Sequence, residues 1–406
     1  MAEDTRGVVS PPGSGETEER APHLETIKAV LQSEAPAVFG AATVLLFYVF
    51  SDALLSDLRP NLWSIVLFLW LFGTMLWCAF GVVRHADCLA ELLGEPYGTL
   101  ILTLAVISIE ISLISSIMLH GANEPTLARD TMFAVLMIIL NGMVGLALLV
   151  GALRHREQHY NLQGAKAFLA VIIPLAVLTL ILPHFTRTAR LPAFTPVQAA
   201  FFAAMTIILY GVFLSVQTVR HRNLFVEPDL RTPLPPAVPD PLAHDETSHE
   251  HGHHDLRSVP FHAALLLVTI VPVVLLSKKL AVFVDYGIET MAAPVALGGV
   301  IVALLVLTPE GLGALRAARA NRLQRSVNIL LGSALATIGL TVPAVLTIGL
   351  IINRDVELGL GEVEIVLLLL TLTVSTLTFT GGRTNVLQGA VHLVLFLAFL
   401  MLILSR

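Results

Sequence analysis

Two glutamates carry the clearest chemical signal in this chain of 406 residues: Glu110 in GTLILTLAVISIEISLISSIML and Glu310 in VALGGVIVALLVLTPEGLGAL. Both stand in apolar runs long enough to lie in hydrocarbon, where a carboxylate is costly and marks a functional site. Both follow the same acidic signature, Asp87-x3-Glu91-x4-Pro96 before Glu110 and Asp285-x3-Glu289-x4-Pro294 before Glu310. A pattern repeated in two halves of a membrane chain points to one shared site where the repeats meet.

Two carboxylates facing one another in low dielectric cannot easily both stay ionised while the site is empty. A bound cation restores ionisation, so cations and protons compete for one place. The plainer alternative is a pair of neutral, hydrogen-bonded glutamates that only hold helices together. At helical spacing Glu110 has Ile107, Leu113 and Ile114 for neighbours, so a polar partner must come from another helix. Pro309 removes a backbone donor and frees a carbonyl one turn earlier. Gly311 and Gly313 let a second helix come close. Carboxylates with freed carbonyls form a hard-oxygen site, suited to Ca2+, or to Na+ and K+ at lower charge.

The segment after each glutamate carries further polar residues. Asn141 follows Glu110; Asn328, Ser333, Thr337 and Thr341 follow Glu310. Their oxygens are candidate accessory ligands, although small polar residues also serve ordinary helix packing. Asp87, Glu91 and Glu95 fall near one mouth of such a site and Asp285 and Glu289 near the other, where acid would concentrate cations. Solvated helix ends explain them equally well. Gln388 and His392, in the last apolar run, read as packing groups.

The elements that must position these residues are helices in a bilayer. The chain is 55% hydrophobic and 13% charged, where a soluble chain carries about a quarter charged residues. Eleven apolar runs, at about 36–55, 61–83, 97–119, 131–153, 167–184, 195–217, 261–277, 291–313, 327–352, 362–381 and 386–404, predict an all-α polytopic membrane protein. Residues 35–217 would hold the first helix and the first repeat. Residues 261–406 would hold the second, inverted repeat. With the N-terminus inside, 16 of the 24 Lys and Arg face the inner side, as the positive-inside bias requires. The helices of Glu110 and Glu310 then run in opposite directions.

Residues 1–34 lack the basic start and apolar core of a secretory leader and read as a disordered cytoplasmic tail. Residues 218–260 read as a cytoplasmic linker rich in Pro, His and acid. Within it, His249, His251, His253 and His254 could bind metal weakly or sense pH. His249-Glu250-x-x-His253 matches the zinc-protease motif, but that motif needs a helix, and here it sits among glycine and other histidines. Cys78 and Cys88 belong to no metal-spaced cluster. No basic domain suggests nucleic acid, and no cofactor is expected.

The stretch LLGEPYGTLILTLAVISIEISLI resembles the first repeat of the cation/proton exchanger (CAX) family, with Gly94-Glu95-x-x-Gly98 preceding Glu110. The stretch PEGLGALRAARANRLQRSVNILLGSALATIGLTVPAVL resembles the second, with Glu310, Asn321, Gly332-Ser333 and Pro343 at the family's spacing. Together with Gly382-Arg383-Thr384-Asn385, these stretches are most similar to the bacterial ChaA-type calcium/sodium/potassium:proton antiporters. The resemblance spans roughly residues 35 to 406. It implies eleven helices in inverted repeats, a bacterial inner-membrane location, and export of cations driven by proton entry, with Glu110 and Glu310 as the cation-binding glutamates. The family's Gly-Asn-x-x-Glu reads Val106-Ile107-Ser108-Ile109-Glu110 and Val306-Leu307-Thr308-Pro309-Glu310 here. The asparagine is missing from both copies, which leaves room for Na+ or K+ beside Ca2+. A monovalent Na+(K+)/proton antiporter, a passive cation channel and an intramembrane metalloenzyme using the His-rich tract are the other readings.

Overall fold

The computed structural model describes residues 34–55, 61–93, 97–120, 125–186, 193–226, 258–291, 294–352 and 356–405. Eleven principal helices run through these residues. They are α1 (Ala35–Val49), α2 (Leu62–Leu93), α3 (Tyr97–His120), α4 (Leu127–His155), α5 (Leu162–Phe185), α6 (Pro196–Arg220), α7 (Val259–Met291), α8 (Val295–Arg319), α9 (Leu323–Ile352), α10 (Glu362–Thr378) and α11 (Val386–Leu404). Eight of the described helices are long and apolar enough to cross a membrane. Glu95, His249, His251, His253 and His254 lie outside the described residues.

Local sequence sets many of the ends. Thr195 and Gln198 form a reciprocal capping box that starts α6, with Pro196 in its first turn. Asn385 and Gln388 do the same for α11, so Gln388 serves as a cap. Asn161 caps α5 through the amides of Gln163 and Gly164. Two helices are longer than their apolar runs suggest. Beyond residue 83, α2 continues through Arg84 to Leu93, and beyond 277, α7 continues to Met291. Cys88 and Leu89, and Leu280, Ala281 and Val284, are buried on these extensions, so packing carries each helix past its apolar run. The segment expected to be linker from 218 begins instead with a π turn (Val216–Arg220) and a 3-10 turn (Arg222–Phe225).

Close crossings at glycines reveal helix directions. On α8, a Cβ at Gly299 would come 2.8 Å from the Thr131 nitrogen of α4, and one at Gly311 would come 2.8 Å from the Met143 sulfur. Both chains advance together, so α4 and α8 are parallel. A Cβ at Gly389 of α11 would lie 2.7 Å from the Leu149 nitrogen, while Gly142 abuts Phe396. There α4 and α11 are antiparallel. These contacts fit a chain whose successive helices alternate in direction, so α3 and α8 oppose one another.

The two halves interlock in matching ways. α8 packs on α4 of the first half, and α3 packs on α9 of the second. α11 covers α4, and α6 covers α9. Both covered helices contain a π turn, Ile138–Met143 in α4 and Thr337–Thr341 in α9. In each, a glycine of the π turn meets an aromatic ring of the covering helix, Gly142 against Phe396 and Gly339 against Tyr210. α1 joins from outside this pattern, with Gly40 seated against Cys78 and Pro272. Glu34, just before α1, bonds Arg84 at 2.7 Å and His85 at 2.8 Å, and His85 meets His262 of α7 at 3.1 Å. Both cysteines are free and buried. Just beyond α4 and just before α11, Gln158–His159 pairs antiparallel with Arg383–Thr384.

Candidate ion-binding site

Glu110 lies mid-way along α3 with only 1% of its surface exposed. Its neighbours on α3, Val106, Ile107, Leu113 and Ile114, are buried and apolar. The partner comes from the π turn of α9: Thr337 donates its hydroxyl to Glu110 Oε2 at 2.9 Å. Thr341, one turn further along α9, faces the same carboxylate. The second oxygen, Oε1, is buried with no hydrogen-bond partner. A buried carboxylate oxygen left unpaired is expensive and is open to a cation or a proton.

Glu310 stands on α8, one residue from the Gly311–Met143 crossing. It is partly exposed, yet its Oε2 is buried and unpartnered. Ser333 of α9 lies within hydrogen-bonding reach, and the charges of the two glutamates are near enough to interact. Pro309 leaves the Leu305 carbonyl without its helical donor. Gly313, with open space beside it, faces a cavity rather than a helix.

That cavity holds about 650 Å³. It enters between Arg84, Arg222, Arg316 and Arg325 and ends at Pro309 and Glu310. Its head is closed by Val106 and Ile107 of α3 and Ala336 of α9, each within a turn of Glu110 or Thr337. The cavity therefore reaches Glu310, while Glu110 is buried and does not line it.

The remaining candidates separate. Asp87 lines the cavity with Glu310, and the charges of the two acids interact. Glu91 is exposed, further out on α2. Asp285 and Glu289 occupy the matching extension of α7. Asn328 is on the cavity wall, but its amide donates to the Phe225 carbonyl at 2.6 Å and accepts from Gln324 at 2.8 Å. Asn141, fully buried in the π turn of α4, bonds Thr371 and His392. The structure brings neither asparagine into a hydrogen bond with a glutamate, because both amides are taken by other elements. Ser108 and Ser112 bond carbonyls of their own helix. Tyr210, which lines the cavity, is the addition that folding makes; its only sequence signal is Thr206 and Gly211 interrupting an apolar helix.

A family model for the sodium/calcium exchanger protein matches residues 63–219 and 261–405. The chain belongs to that family. The two matched segments take in α2–α6 and α7–α11, leaving out α1 and the polar stretch between the halves. The chain is 43% identical over 340 residues to y4hA of Sinorhizobium fredii, covering 84% of this chain and 89% of that one. It is 41% identical over 364 residues to the sodium-potassium/proton antiporter ChaA of Escherichia coli, covering 85% and 94%. Its fold is similar to that of YfkE, a Ca2+/H+ antiporter, with a TM-score of 0.68 at 18% identity over 91% of this chain and 98% of the other.

Proposed function

We propose that the protein is a secondary transporter exchanging cytoplasmic cations for protons, with Glu110 and Glu310 as the shared binding groups. The observation that carries this reading is the pair of glutamates on opposed helices, each with a buried oxygen that no protein group satisfies. Glu310 faces the cavity and Glu110 is buried away from it, which supports a site reached from one side at a time. Cation and protons are alternative ways of settling the same unpaired oxygens, so loading one expels the other. The cation is cargo, not a resident cofactor.

The exchanged cations are Na+ and K+, with Ca2+ as the further candidate. The sodium-potassium/proton name of the Escherichia coli relative supports the monovalent ions, as does the absence of asparagine three residues before each glutamate. In this reading the membrane is the bacterial inner membrane and the arginine-rich end is cytoplasmic, which fits the positive-inside bias. The cavity then opens to the cytoplasm.

The test uses inside-out vesicles loaded with a pH-sensitive dye, adding Na+, K+ and Ca2+ in turn. Glu110→Gln and Glu310→Gln are each expected to abolish cation-dependent proton movement while leaving the folded protein in the membrane. Vigorous exchange by either variant would sink the proposal. Cation flux without proton flux would replace the antiporter with a channel.

A further inference from the structure

The two π turns treat their glutamates differently. Asn141 stands as far into α4 from Leu127 as Thr337 stands into α9 from Leu323. Thr337 reaches the glutamate of the opposite half and bonds it at 2.9 Å. The matching bond, from Asn141 to Glu310, is not made, although α8 crosses α4 at Gly311 and Met143, next to both residues. Asn141 instead gives its Nδ2 hydrogen to Thr371 Oγ1 of α10 at 2.8 Å. Its Oδ1 meets His392 Nδ1 of α11 at 3.3 Å. His392 Nε2 lies 2.9 Å from Thr378 Oγ1. Glu310 Oε2 meanwhile stays buried and unpartnered.

The four side chains form one directed chain. Asn141 and His392 are completely buried, and Thr371 and Thr378 nearly so. A neutral imidazole with its hydrogen on Nδ1 satisfies these side-chain contacts: Thr378 donates to Nε2, Nδ1 donates to Asn141 Oδ1, and Nδ2 donates to Thr371, while the ring also reaches the neighbouring Leu140 carbonyl. This assignment also sets the amide orientation, placing the Asn141 oxygen on His392.

We propose that His392 is a positioning residue for the exchange site, holding the Asn141 oxygen on α11 and away from Glu310 in this state. The amide oxygen is a hard ligand of the kind Na+, K+ and Ca2+ take. While His392 donates to it, that oxygen is withheld from a cation at Glu310. Because the repeats are inverted, the state open at the other end exchanges the two arrangements. There Asn141 turns to Glu310 and Thr337 leaves Glu110. His392 thus sets the contrast in cation affinity between the two states. The inference rests on the reading of Glu310 as a cation ligand.

The experiment measures the cation KM and maximum rate of the full chain in inside-out vesicles. His392→Phe keeps bulk and removes the donor; His392→Asn restores a donor near Nδ1. Thr371→Val cuts the other tether without touching the ring, so the test does not depend on one variant folding. His392→Phe and Thr371→Val are expected to lower the cation KM by roughly three- to tenfold, the weight of one buried hydrogen bond. His392→Asn should return it close to that of the unaltered protein. In an Asn141→Ala background the His392→Phe effect should vanish, since a purely structural role would persist there. An unchanged or raised KM in both tether variants overturns the inference, as does a fall that survives Asn141→Ala. Glu310→Gln separates the two levels. If it is inactive while the tether variants behave like the unaltered protein, only this inference fails; if it exchanges normally, the reading beneath it fails as well.

Discussion

Replacing Thr337 with valine isolates the contact that joins the two halves at Glu110. The two side chains have nearly the same shape, and Thr337 is fully buried, so packing is preserved and only the hydroxyl is lost. That hydroxyl lies 2.9 Å from Glu110 Oε2, and Oε1 has no partner already. In the variant Glu110 loses that donor; the neighbours on α3 are apolar, and Thr341, one turn further along α9, is the hydroxyl that still faces the carboxylate. A hydrogen bond to a charged group contributes ~1.5–3 kcal/mol, which corresponds to a change of roughly 10- to 150-fold in a binding constant. The cation KM measured by dye quenching in inside-out vesicles is expected to rise by that factor. Thr337→Ser, which keeps the hydroxyl, should stay within a few-fold of the unaltered protein. Size-exclusion profiles of both variants in detergent should match the unaltered protein, since no volume is removed. A valine variant with unaltered KM for every exchanged cation would show that the Thr337–Glu110 contact plays no part in binding.

Asp87→Asn removes one acid from the cavity wall shared with Glu310; the cation KM should rise about two- to fivefold at low ionic strength, with the difference fading as salt screens the cavity. Gly389→Val drives a side chain into the Leu149 nitrogen and Gly145 carbonyl, 2.7 and 2.9 Å from the new Cβ. Overpacking of this kind costs about 3 kcal/mol, so the melting temperature in detergent should drop sharply; an unchanged melt would mean that α4 and α11 do not cross there. Deleting residues 244–255, which hold the His-rich tract, should leave exchange intact, and loss of all activity would favour the metalloenzyme reading instead.

The sequence by itself determined the class of protein and the number of principal helices, and it singled out the two glutamates. Each of these is a local property. About twenty apolar residues in a row must cross a bilayer as a helix, and a carboxylate within such a run stands out without knowledge of its neighbours. Alternation of successive helices then made α3 and α8 antiparallel, and the glycine crossings agree with that direction. The apolar runs stopped short of the true ends of α2 and α7, because those extensions are held by packing rather than by hydropathy.

The tertiary structure alone decided which polar group meets which. Glu110 and Thr337 are 227 residues apart, and Asn141 and His392 are 251 apart; no periodicity within one helix encodes such a pairing. Asn141 and Thr337 look equivalent along the chain, yet one is turned to α10 and α11 and the other to a glutamate. The π turns that aim them are invisible to hydropathy, since a one-residue bulge leaves an apolar run apolar. The cavity has the same origin. It reaches Glu310 and stops below Glu110 because of how one half leans on the other, and that difference between two similar glutamates is a property of the folded state, not of either segment.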